Sequence, residues 1–338
     1  MHCWGGFLAR LKIAIEKALQ TAYGLIWKVV ENSDYGNQYI LNEYASVRNG
    51  LIIPGRLQHG WEPLTQSNTY YPNNNIQTYV WSEEAGQWAR NQGWGNFHSI
   101  GAPWLYLLAN LENMGFDENQ LLDGKKNTIS ELWVFGFHTV SPANSISPCL
   151  VEFIQAAIRS GGQSKVILLS WFDFLEIKNY APDLMHKIKI VTLGERRNSS
   201  SADAHLYQVF HLLSKSELVI TDYPTTLVLY ALTLGCEVSW FKNSSYEIAR
   251  EKATIVNNTS LLNILDSNRL LPKDHISFAN ENLGLACMLT PTKMKEIFGW
   301  DKAFFNTRTR FSGLIKFFVL LLTFPLKKCV TSPRKWTT

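Results

Sequence analysis

Short apolar runs alternate with polar corners and with stretches of helical periodicity along most of this chain. That rhythm predicts strands joined by helices, the pattern of an α/β protein. In the first 30 residues Leu8, Leu11, Ile13, Ile15, Leu19, Tyr23 and Ile26 fall near helical spacing, which predicts an amphipathic helix. Strands are expected at "GLIIP" (50–54), "IQTYVW" (76–81) and "NFHSI" (96–100), with helices after Ser82 and from Pro103 to about Met114. Polarity rises and periodicity lapses at "DENQLLDGKKNTIS" (117–130), the expected linker.

Beyond the linker, strands are expected at "LWVFGF", "KVILLS", "KIKIV", "ELVI" and "CEVSW", with helices beginning near Ser147, Ser201 and Thr225. Parallel neighbours need crossovers and bury both faces, so short apolar strands of this kind predict a parallel, doubly wound sheet. The expected organisation is two Rossmann-like lobes facing a central cleft. Residues 1–120 form an acceptor-side lobe, 130–300 a nucleotide-binding lobe and 301–338 a basic amphipathic tail.

Composition narrows the class. With 46% hydrophobic and 18% charged residues the chain can build its own core. Cys3, Cys149, Cys236, Cys287 and Cys329 are scattered without metal-like spacing, so neither a disulfide framework nor a zinc site is expected. No DxD or other metal cluster stands out, and no cofactor is expected. The longest apolar run near the end, "FFVLLLTFPL" (317–326), contains Pro325 and falls short of the roughly 18 residues of a spanning helix. The net charge of +4 hides an uneven distribution, because from Asp301 onward there are eight Lys or Arg residues and one acid. Such a tail suits an anionic membrane surface rather than nucleic acid, or else a closing helix packed on the fold. A cytoplasmic protein, peripheral on the inner leaflet, is the expectation.

In doubly wound folds ligands sit outside the carboxyl ends of the strands. His59 and Gly60 follow the first expected strand; an imidazole there can take a proton from an attacking hydroxyl, and Gly60 permits close approach. A histidine that satisfies a loop is the competing reading. Gly101 and Pro103 in "GAPW" open a helix and line the expected acceptor side of the cleft, or simply punctuate strand and helix. Asp222, Thr225 and Thr226 in "TDYPTT" place a carboxylate and two hydroxyls where a strand meets a helix N-terminus, a phosphate cradle or an ordinary cap. His138 after "LWVFGF", and Arg196 with Arg197 in "GERRNSSS", are candidates for the donor side of the rim. Glu83 and Glu84 read as dipole-favouring residues, and His205 and His211 as structural ones. Trp61, Trp81, Trp88, Trp94 and Trp104 crowd the first lobe, for the core or for stacking on sugars.

Over about residues 50–245 the order of these motifs resembles the CDP-glycerol glycerophosphotransferase-like enzymes of teichoic-acid and capsule assembly. The matching segments are "LQHGW", "YVWSEEAGQWARNQGW", "HSIGAPW" and "VITDYPTTLVLYALTLGCEVSWF". The resemblance implies GT-B architecture and a cytidine-nucleotide donor (CDP- or CMP-linked). It also implies a glycan or lipid-linked acceptor, His59 as catalytic base, and Thr225 and Thr226 in place of two phosphate-contacting serines. Pro224 before the hydroxyl pair and "GFHTVSP" after the first strand of the second half depart from the family pattern. A transferase for a CMP-linked acidic sugar, and an inactive glycan- or membrane-binding subunit, are the alternatives.

Overall fold

A computed structural model describes residues 32, 34–48, 51–61, 77–91, 96–115, 128–136, 147–161, 163–193, 204–255 and 257–301. The expected N-terminal helix, most of the linker, His138, Arg196, Arg197, Trp94 and the basic tail lie outside the described residues.

A 3-10 turn at Asp34–Gly36 leads into α1 (Asn37–Tyr44). Then follow β1 (Arg56–Leu57), β2 (Thr78–Val80), α2 (Glu83–Asn91), β3 (Phe97–Ser99) and α3 (Pro103–Asn113). The three strands form a small parallel sheet in the order β1-β2-β3. "GLIIP" is not a strand, and β1 begins two residues after it. The carbonyls of that segment are taken by side chains rather than by a neighbouring strand. Asn42 Nδ2 donates to Leu51, Trp300 Nε1 to Ile52, Asn32 Nδ2 to Ile53 and Gly55, and Tyr79 Oη to Pro54. With those acceptors satisfied locally, the ladder starts only at Arg56.

The second half runs β4 (Ile129–Val134), α4 (Pro148–Arg159), β5 (Lys165–Leu169), α5 (Trp171–Tyr180), α6 (Pro182–Met185), β6 (Lys189–Thr192) and α7 (His205–Leu213). It continues with β7 (Ser216–Thr221), α8 (Thr226–Thr233), β8 (Glu237–Trp240), α9 (Ser244–Ile255), α10 (Thr259–Asp266), β9 (Arg269–Leu270), α11 (Pro272–Leu283), a 3-10 turn at Leu285–Cys287 and α12 (Pro291–Phe298). The sheet order is β6-β5-β4-β7-β8-β9, parallel except for β9. All five strands expected from the pattern are present and parallel to one another. The chain winds outward from β4 through β5 to β6, then returns to β7 beside β4, so the winding reverses between β4 and β7.

Alternation along the central strands divides the core. Leu132, Val134, Val166, Leu168, Val219 and Val238 join the main cluster, while Trp133, Phe135, Ile167 and Leu169 face α4 and pack on Leu150, Phe153 and Ile154. The main cluster extends from Ile40 to Trp300 and takes in side chains around both sheets. Helices α3 and α8 are buried along most of their length, which is why "PWLYLLANL" and "TLVLYALT" are apolar on nearly every face. They meet where Trp104 stacks on Tyr230, with ring centroids 4.2 Å apart, and donates its indole N–H to Thr233 Oγ1 at 2.9 Å. Trp61, Trp81 and Trp104 are thus core residues. The last described helix returns to the small sheet, Phe298 packing edge-on to Tyr79 at 4.8 Å.

Among the described residues no helix is long and apolar enough to cross a membrane, and Cys149, Cys236 and Cys287 are not in disulfides.

Candidate functional site

The corner after β7 is built around Asp222, which is fully buried. Its Oδ1 accepts the Gly136 N–H at 2.7 Å, and its Oδ2 accepts from Asn243 Nδ2 at 3.3 Å. Gly136 follows β4 and Asn243 follows β8, so one carboxylate ties the carboxyl ends of three adjacent strands across the reversal point. Gly136 must be glycine here, because an added Cβ would lie 2.5 Å from Tyr223 Cβ. Thr221 Oγ1 donates to the Tyr223 carbonyl at 3.1 Å, closing a tight turn.

Thr225 is the N-cap residue of α8 in extended conformation, the position the capped-helix reading assigns, yet its side chain makes no capping hydrogen bond. Its Oγ1 is buried and has no hydrogen-bond partner among the described residues. Such a hydroxyl, beside the free N–H groups of a helix start, is an unmet donor and acceptor facing partial positive charge. Thr226 is engaged, its Oγ1 accepting the Trp61 backbone N–H at 2.8 Å.

That contact joins the two motifs. Gln58 extends β1 by donating its N–H to the Tyr79 carbonyl at 2.8 Å, while its side-chain Oε1 accepts the Trp81 N–H at 2.8 Å and its Nε2 donates to the Gly60 carbonyl at 2.9 Å. Gly60 lies so close to the corner that an added Cβ would be 2.9 Å from Thr226 Oγ1. Trp61, on the far side, sends its indole N–H to Asn282 Oδ1 of α11 at 2.9 Å. Half-buried His59 therefore lies between residues tied on both flanks, at the carboxyl end of the small sheet and beside the carboxyl end of the large one.

The third expected element is closed by the chain itself. Gly101 has φ +77°, and an added Cβ would lie 3.2 Å from Met288 Cγ and 3.3 Å from the Gly284 carbonyl oxygen. Ala102 donates its N–H to the Leu283 carbonyl at 2.8 Å, and Pro103 is buried as the first residue of α3. The close approach that Gly101 permits is made by residues 284–288. Glu83 and Glu84 are exposed in the first turn of α2, as their dipole-favouring role requires.

Sequence reading missed α5 and its buried acid. Ser170 caps the helix, accepting the Asp173 N–H at 3.2 Å and donating its hydroxyl to Asp173 Oδ2 at 2.6 Å. Burial pushes the Asp173 carboxyl up to about 6, against the Ser170 hydrogen bond and with help from Glu176 and Asp222. On α7, burial pulls His205 down to about 4, and its Nδ1 has no hydrogen-bond partner among the described residues.

The two groups oppose each other in acid. His205 resists protonation when folded, so its neutral form supports the fold above about pH 6.5 and that support is lost as pH falls toward 4. Asp173 binds its proton more tightly when folded, so it adds stability as pH falls from about 6 toward 3.8. Replacing His205 with Phe is expected to reduce the acid loss of stability by about 2–3 kcal/mol between pH 6.5 and 4. Asp173→Asn should deepen that loss. Urea unfolding at a series of pH values checks both, and an unchanged acid limb in His205→Phe would remove histidine burial as its cause.

The structure thus brings Gly60 and Trp61 onto Thr226 with His59 next to them in the chain, places Thr225 and Asp222 at the same corner, and sets Gly101 beneath residues 284–288, with Pro103 buried at the start of α3. Gln58, Gly136, Asn243 and Asn282 were not legible as site residues, since nothing in their spacing marks them. Among the described residues no group of three His, Cys, Asp or Glu side chains is placed to hold a metal ion. No model of a known protein family matches the chain, and no curated protein matches it.

Proposed function

We propose that the chain is a transferase that moves a glycosyl or alditol-phosphate unit from a cytidine-nucleotide donor to a growing surface polysaccharide. The observation that carries this reading is the Trp61 N–H to Thr226 Oγ1 hydrogen bond, which unites the His-Gly turn and the "TDYPTT" corner at the carboxyl ends of parallel strands in the two sheets. In the proposed GT-B arrangement the six-stranded sheet carries the donor and the three-stranded sheet the acceptor. His59 takes the proton of the acceptor hydroxyl as its oxygen attacks the anomeric carbon or the phosphorus of the donor. The bond to the departing nucleotide breaks, and Thr225 with the start of α8 receives the negative charge left on its phosphate.

Thermal shift against CMP, CDP, UDP and GDP tests the donor class, because a ligand that binds only the native state raises its melting temperature. Stabilisation by the cytidine nucleotides supports the reading; stabilisation by none of the four, or only by UDP or GDP, overturns it. His59→Ala is expected to lower turnover by roughly 100-fold while leaving nucleotide affinity intact. Thr225→Ala is expected to weaken nucleotide binding by about tenfold, a lost hydrogen bond to a charged group.

A second reading, an inactive glycan-binding subunit, is favoured by the engagement of the Thr226 hydroxyl with Trp61 and of both Asp222 oxygens with Gly136 and Asn243. Cytidine-nucleotide binding without turnover on any acceptor would select it.

A further inference from the structure

Helix α11 and the turn after it touch the carboxyl end of every strand in the small sheet. Asn282 reaches Trp61 beyond β1, Gly284 packs on the backbone of Trp81 beyond β2, and Leu283 accepts the N–H of Ala102 beyond β3. The same helix lies along α8, whose first residue is Thr226. Trp61 is the point where these contacts converge on the site. Its ring packs edge-on to Phe278 at 5.7 Å, its indole N–H meets Asn282 Oδ1, and its backbone N–H meets Thr226 Oγ1.

The Asn282 amide has one workable orientation. Its Nδ2 donates to the Phe278 carbonyl at 2.9 Å, leaving Oδ1 for the indole; the flipped amide would set donor against donor and carbonyl against carbonyl. An asparagine here supplies both an acceptor toward Trp61 and a donor to its own helix, which neither leucine nor aspartate does. Gln58 holds the Gly60 carbonyl from the opposite side. The segment from Gln58 to Trp61 is therefore stretched between two amide side chains, with His59 the titratable ring between them.

We infer that Asn282 is a positioning residue: by holding the Trp61 indole it keeps Trp61 N–H on Thr226 and sets the His59 ring against the corner at Thr225 and Thr226. The part of His59 as base rests on the proposed transferase reading; the tether itself does not, and the experiment separates the two.

Asn282→Leu and Trp61→Phe each remove the indole-to-amide bond, and Trp61→Phe keeps an aromatic ring against Phe278 if the leucine variant folds poorly. Amide hydrogen exchange and the His59 Cε1–H resonance are read in the whole chain without ligand. The expected result is a roughly five- to tenfold faster exchange of the Trp61 amide, the loss of about one neutral hydrogen bond. The His59 resonance moves as well, while the amides of Leu132 and Val219 in β4 and β7 keep their protection. Asn282→Asp, which retains an acceptor toward the indole, should recover most of the His59 signature. Two results overturn the inference: an unmoved His59 resonance with unchanged Trp61 exchange, or a uniform loss of protection that includes Leu132 and Val219. If no cytidine nucleotide binds, the transferase reading fails while these signals still decide the tether. If turnover is found, Asn282→Leu should lower kcat with little change in KM for the nucleotide.

Discussion

Gly284→Ala is expected to cost about 4 kcal/mol or more and to lower the melting temperature by about 6 °C or more. Gly284 ends α11 with φ 74° and ψ 43°, a left-handed conformation that taxes any side chain by roughly 1 kcal/mol. The larger cost is steric. An added Cβ would lie 2.6 Å from the Trp81 carbonyl carbon, closer still to its oxygen, and 3.1 Å from Ser82 Cα. Backbone atoms at the end of β2 cannot swing aside as a flexible side chain can, so α11 would have to lift from the small sheet. That movement would also pull Leu283 from Ala102 and Asn282 from Trp61. Gly115 supplies the control, because it too has positive φ, +85°, with nothing among the described residues within 4 Å of an added Cβ. Gly115→Ala isolates the conformational strain and should cost only about 1 kcal/mol. Thermal unfolding of the two variants side by side decides the matter, and equal melting temperatures would show that the contact with Trp81 carries no weight.

Asp222→Ala is expected to destabilise the protein by about 3–5 kcal/mol. The substitution leaves the Gly136 N–H and the Asn243 amide without their acceptor in a site that water does not reach, and each orphaned group costs about 1–3 kcal/mol. Asp222→Asn is milder, about 1–2 kcal/mol, because its carbonyl oxygen can still accept from Gly136. Its new amide group then faces Asn243 Nδ2, and Asn243 cannot simply rotate to compensate, since its Oδ1 accepts the Tyr246 N–H at 3.1 Å in the first turn of α9. Denaturant unfolding measures both. A near-neutral Asp222→Ala would mean that the three strand ends do not depend on this carboxylate. Nucleotide affinity measured on folded Asp222→Asn asks separately whether Asp222 also contacts a donor.

The class of fold was legible because its signals are local. The short apolar strands from Leu132 to Trp240 separated by crossover-length segments call for parallel pairing under helices, and β4 to β8 are parallel as expected. The helix at Pro103 was marked by proline at its first position and the corner at Asp222 by the abrupt change from "ELVI" to "TDYPTT". Helix α5 escaped because "WFDFLEIKNY" has weak amphipathic periodicity and only its Ser170 cap announces it. "GLIIP" has the apolar content of a strand, but apolar content does not show that Asn32, Asn42 and Trp300 take its carbonyls.

At the site, the candidates Asp222, Thr225 and Thr226 follow from the end of the strand "ELVI", while His59 and Gly60 lie just past β1 rather than past the expected strand "GLIIP", and the division of labour among the five is not legible at all. Trp61 and Thr226 are 165 residues apart, and Trp61 and Asn282 are 221 apart. Periodicity within one element says which face is buried, never which distant chain will cover it. That is why two similar threonines part company: Thr226 meets a backbone N–H brought to it by the small sheet, and its neighbour Thr225 turns a buried hydroxyl toward no partner among the described residues.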